Sequence, residues 1–249
     1  MDATLWFLRQ LLRQRRSLFL VLLVGASWAL SIGLRFFATD LDAEDRLVLF
    51  RDGVGPFLIA AVVLLISMLY ATSAFAQEIE DKTMFLLLTR PYPRATLLRD
   101  KALAAWIASA GPSVLALALP ALILLPLDDA RAREIALAYI AAALLASTAY
   151  TALFLRVGLS ASRPIIWAAG IAIGWEGLVG TTPGNLQLLT VQHQAARFLA
   201  RTVAPETWTL ELKLRVPEGS AWMPVLCLLG FTALLLALSW RRLRSFELR

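Results

Sequence analysis

The sequence predicts an all-α integral membrane protein of six transmembrane helices, and three observations carry that prediction. The chain of 249 residues is 59% hydrophobic but only 17% charged, whereas soluble domains carry about a quarter charged residues to keep their surfaces wet. Its mean hydropathy is +0.69. The apolar residues fall in long blocks separated by short clusters that hold nearly all the charge, the pattern of spans and loops rather than of one buried core. The single cysteine, Cys227, lies inside an apolar run, which excludes an intrachain disulfide framework or a cysteine-based metal site.

The blocks place spans at 17–34, 55–75, 102–127, 135–155, 164–179 and 221–240 within one transmembrane domain, 1–249. Most approach the roughly 20 residues that cross about 30 Å of hydrocarbon. The fifth is short, and Gly174, Gly177 and Gly180 interrupt its far end. Such a span either borders a cavity or re-entrant segment, where protein or water satisfies loose backbone groups, or simply ends early. The first span follows an Arg-rich stretch without a small-residue cleavage site, so it reads as retained rather than removed.

Charge sets the orientation. Segments 1–16, 76–101, 156–163 and 241–249 hold 15 of the 24 Lys and Arg residues, while 35–54, 128–134 and 180–220 hold 11 of the 18 acids. The positive-inside rule then puts the first set, with both termini, in the cytoplasm of a cell whose inner (plasma) membrane the chain crosses. Trp106, Trp167 and Trp240 fall at inner boundaries, and Trp175 and Trp222 at outer ones. The pI near 10.1 therefore reflects topology and contact with anionic membrane lipids, not nucleic-acid binding.

Residues 1–16 read as an interfacial helix or as an extension of the first span. Leu5, Leu8 and Leu12 share one face, and Arg9, Arg13 and Arg16 another. Gly25, Ala29 and Gly33, and then Gly170 and Gly174, recur at four-residue spacing and mark close helix contacts, within the chain or between protomers.

The segment 77–101 carries the most information. Pro91 and Pro93 divide it, an apolar patch from Met84 to Leu88 needs cover, and Glu78, Glu80 and Asp81 stand beside Lys82 and Arg90. This composition suits a helix on the headgroups or in a groove of a partner protein. The stretch EIEDKT, then LLLTRPYPR, then Lys101, resembles the cytoplasmic signature of ATP-binding-cassette exporter permeases of the type-2 class. WEGLVGTTPGNLQLLTVQHQAARFLA, after the fifth span, is similar to a second stretch of the same permeases. Lys82 departs from the small residue common there, which bears little on the class. The resemblance implies a six-helix subunit with a cytoplasmic coupling helix, forming half of a membrane dimer. Two copies of a cytoplasmic ATPase subunit, holding ATP and Mg, would dock at Glu78, Glu80, Asp81, Thr83, Phe85, Leu87, Arg90 and Pro91.

The residues are compatible with a non-catalytic subunit. There is no G-x-x-x-x-G-K-[ST] stretch to cradle phosphates and no G-x-S-x-G setting for a serine. His193 is the only histidine and reads as a polar-face residue of an amphipathic helix, 185–199, rather than a metal ligand. Glu176 is the one acid inside the apolar zone. With Gly174 and Gly177 it forms a pathway or gate candidate, facing a vestibule or a cationic group, or else it caps a neighbouring helix. In the long loop 180–220, residues 208–216 alternate apolar and polar like a half-buried strand, for which 46–51, another protomer or an extracytoplasmic protein offers a partner. Two further function classes stay open. One is an ATP-driven scaffold that acts on an outer partner without transport. The other is an ATP-independent transporter or channel, which the scarcity of intramembrane polar residues disfavours.

Overall fold

Long apolar blocks fold as helices in lipid because no other open structure satisfies its own backbone there. The computed structural model describes residues 3–13, 17–37, 41–80, 93–180, 182, 185–203 and 220–245. In chain order its principal helices are α1 (Ala3–Leu12), α2 (Ser17–Phe37), α3 (Ala43–Ala76, its last turn reaching Glu80), α4 (Arg94–Leu124), α5 (Ala130–Ser160), α6 (Pro164–Val179), α7 (Val191–Thr202) and α8 (Trp222–Arg244). Five of them, α2, α3, α4, α5 and α8, are long and apolar enough to cross a membrane. The expected fifth span, α6, has 16 residues and reaches at most about 24 Å. The alternating segment 208–216 lies outside the described residues.

One expectation fails. Residues 46–51, offered as a strand partner, are helical: Ala43–Val48 is α-helix and Leu49–Val54 is a π-helical stretch of the same continuous helix. Two features let this charged segment join α3. Glu44 and Asp45 lie in its first turn, where acids favour helix starts. Arg51 and Asp52 then neutralise one another, with Nε–Oδ1 at 2.7 Å and Nη2–Oδ2 at 2.8 Å, and both side chains are buried. Tyr139 of α5 donates its hydroxyl to the Arg51 carbonyl.

The helix α5 lies at the centre, touching α3, α4, α6, α7 and α8. Alanines 132, 142, 143, 146 and 149 are fully buried along it, and such small side chains let helix axes approach where lipid removes the hydrophobic drive. The tightest approach to backbone is at Gly158, where an added Cβ would stand 2.6 Å from the carbonyl oxygen of Thr72 on α3. Backbone cannot yield as a flexible side chain can. Gly158→Ala is therefore expected to lower stability by about 1–3 kcal/mol, read as a depressed Tm of the purified protein in detergent. By contrast, a Cβ at Gly25, Gly33, Gly170 or Gly174 would meet nothing within 4 Å. Their four-residue spacing marks no contact inside the described chain.

The helix α1 and the last turn of α8 sit at one end of the bundle. Phe7 of α1 packs near Lys101 at the start of α4, and Arg94 donates to the carbonyls of Leu243 and Arg244, closing the last turn of α8. The helix α1 turns Phe7 and Leu11 inward, while Leu5 and Leu12 are about half exposed. Of the leucine face read from periodicity, Leu8 packs against the core while Leu5 and Leu12 look toward the surroundings. Only 17% of the apolar window of α2 and 22% of that of α8 is buried, so these two helices stand at the periphery and present apolar faces outward.

Candidate functional site

Two buried polar constellations stand out, one at the terminal end of the bundle and one deep within it. The first ties together the two helices that flank 81–92. Lys101 is 2% exposed and pairs with Glu78 at the end of α3. Its ammonium also donates to the Ala74 carbonyl at 2.5 Å. It lies 4.7 Å from the ring centroid of Phe75 and 5.1 Å from that of Phe7. A lysine so enclosed needs all of these partners, because a lone buried ammonium is costly. The result joins α1, α3 and α4 at one point.

Glu78 thus faces inward toward Lys101, its side chain 12% exposed, rather than standing free beside Glu80 and Asp81. Glu80 closes the helix Leu64–Glu80. Asp81, Thr83, Phe85, Leu87, Arg90 and Pro91 lie outside the described residues. Lys101 and Phe7 are the residues whose role in this cluster sequence reasoning missed. In the sequence Lys101 stands out only as the end of the stretch that carries the resemblance, with nothing to show that it meets Glu78.

The second constellation centres on Glu176, which is 1% exposed. The buried face of α6 is Pro164, Ala168, Ala172 and Glu176, a strict four-residue repeat. In an α-helix such a repeat drifts by about 40° per step. The wider turn of the π-helical stretch Ile171–Val179 reduces that drift and holds Glu176 in line with the alanines. Gly174 and Gly177 lie in this stretch, with Gly177 exposed and Gly174 half-buried.

The Glu176 carboxylate is fully engaged. Oε1 accepts from the backbone N–H of Val191 at 3.0 Å, and Oε2 accepts from that of Gln192 at 3.0 Å and from the hydroxyl of Tyr150 at 2.9 Å. Val191 and Gln192 open α7, so an acid of α6 caps the N-terminus of α7 and meets the positive end of its dipole. Thr190, the residue before that helix, adds its own hydroxyl as acceptor for the His193 N–H at 3.3 Å.

Depth follows from α5. Tyr150 stands ten residues from Ser160, about 15 Å along a helix of about 46 Å. The start of α7 therefore lies well inside the bundle. From there α7 runs toward the far end, where Arg201 donates to the Ser220 carbonyl at 2.8 Å, just before α8 begins. Between α6 and α7 the chain returns on itself, since a Cβ on Gly180 would stand 3.5 Å from the Gln192 amide oxygen. Neither α6 nor α7 is among the five helices long and apolar enough to cross a membrane. Of the two roles open for Glu176, helix capping is the one whose geometry is present.

Among the described residues no group of three His, Cys, Asp or Glu side chains is arranged to hold a metal ion. No protein-family model matches the chain, and none of the curated proteins is similar enough to count as a relative. The described residues form an all-α, multi-pass membrane protein with five long apolar helices.

Proposed function

We propose that this chain is the permease subunit of an ATP-binding-cassette exporter, coupling ATP hydrolysis on a separate cytoplasmic ATPase to export across the inner membrane. In this reading two permease protomers form the membrane dimer, both termini are cytoplasmic, and two ATPase subunits engage segment 77–101. The chain itself catalyses nothing, and ATP and Mg belong to the partner.

The observation that carries the reading is the Glu78–Lys101 junction. The two ends of the segment that resembles a coupling helix are fastened to each other, and α1 is laid over the same point. A force applied to that segment would move α1, α3 and α4 as one body, which is what a coupling element requires. The alternating residues 208–216 favour a second reading, in which the same motion acts on an extracytoplasmic protein without transport.

Co-purification tests the docking. Phe85→Asp combined with Leu87→Asp places two charges in an apolar contact, at a cost of several kcal/mol, roughly a hundredfold or more in affinity. The wild-type chain, extracted with a mild detergent, is expected to bring an ATP-hydrolysing subunit with it. The double variant should insert normally and bring none. Equal recovery of the ATPase with both chains would refute docking at this segment.

A further inference from the structure

The helix α7 carries a row of basic side chains that neither the capping of Glu176 nor ATPase docking uses. His193, Arg197 and Arg201 repeat every four residues and so share one face. His193 is 6% exposed and Arg197 is 7% exposed. The Nδ1 of His193 and the Nε of Arg197 are buried without a hydrogen-bond partner. The one hydrogen bond of Arg197 runs from Nη1 to the Gln194 side-chain oxygen at a long 3.4 Å. Among the described residues the ionisable groups acting on Arg197 are Arg201 and Cys227 of α8, and no carboxylate is among them. Glu176, the acid of α6, is already engaged by Tyr150 and the first turn of α7.

A guanidinium that is nine-tenths buried, with no counter-charge among the described residues, is strongly unfavourable. The His193 imidazole on the same face has a ring N–H to offer. On the α8 side the site borders Cys227, which is exposed, as are Met223 and Leu226 on the same helix. An anion could therefore enter from the lipid-facing surface, with an apolar tail lying along α8. A guanidinium fork suits phosphate oxygens in particular.

We propose that Arg197 and His193, with Arg201 at the rim, bind one phosphate group between α7 and α8. Two sources carry that chemistry, the headgroup of an anionic phospholipid and free inorganic phosphate. The site is separate from segment 77–101 and does not depend on an ATPase.

Native mass spectrometry of the full chain, exchanged from detergent into mixed phosphatidylglycerol and phosphatidylcholine, reads the occupancy. The wild type should retain phosphatidylglycerol over phosphatidylcholine by at least about tenfold, the value of one charge-assisted interaction. Arg197→Gln should abolish that preference and Arg197→Lys should keep part of it, while Arg131→Gln, at an exposed position, should change nothing. In a second arm, a rise of Tm with millimolar inorganic phosphate, seen in the wild type and lost in Arg197→Gln, would support the same phosphate site and name the free anion as a ligand. An unchanged lipid preference in Arg197→Gln would overturn the proposal. So would a wild type that neither prefers phosphatidylglycerol nor responds to inorganic phosphate. Should Arg197→Gln fail to fold, His193→Gln is judged by the same criteria.

Discussion

Glu176→Ala is expected to lower stability by about 3–5 kcal/mol, because it leaves three buried donors without an acceptor and a helix N-terminus without its anion. The donors are the Val191 and Gln192 N–H groups and the Tyr150 hydroxyl. Water cannot readily replace the carboxylate at this depth. Glu176→Gln keeps one oxygen but turns an amide N–H₂ toward other donors, so a smaller loss of about 1–3 kcal/mol follows. Tm in detergent measures both, and limited proteolysis localises them. Cleavage within 185–203 should rise before the packed helices α3 to α5 become accessible. If both variants match the wild type, the capping interaction carries no weight in the fold.

The second large effect belongs to Lys101. Lys101→Met removes the cation paired with the largely buried Glu78 carboxylate, and Glu78→Leu removes the anion paired with a 2%-exposed ammonium. Breaking one side of such a pair costs about 3–5 kcal/mol, whereas replacing both sides with apolar residues is often nearly neutral. The double variant, Glu78→Leu with Lys101→Met, should therefore recover most of the Tm lost by either single change. Because the pair is shielded from solvent, added salt should hardly alter these differences. Failure of the double variant to recover would mean that the two residues act through other neighbours.

The reach of the sequence differs from element to element. Helices α2, α4, α5 and α8 were legible because each carries about 20 apolar residues, and only a helix can bury that length in lipid. The first half of α3 was not. Its acids and arginines look like a loop until Arg51 and Asp52 are seen to neutralise each other in the helix. The choice of Glu176 rested on an acid in an apolar block, which is sound. Its partners were hidden, because Val191 lies 15 residues on and Tyr150 lies 26 residues back. Glu78 was grouped with its charged neighbours for the same reason: Lys101 is 23 residues away, and pattern within one segment cannot show that the two meet. Spacing also misled for small residues. Gly158, which stands in no four-residue series, makes the closest contact with a neighbouring helix backbone, while the regular series on α2 and α6 faces open space.

Site-specific photo-crosslinking in intact cells tests the central claim most directly, namely that a separate ATPase engages the segment between α3 and α4 from the cytoplasm. A photoreactive amino acid at Phe85 should yield an adduct with a nucleotide-binding polypeptide, and the same probe at Thr209 should yield none. An adduct with such a polypeptide from Thr209, or its absence from every position between 81 and 91, would contradict the account.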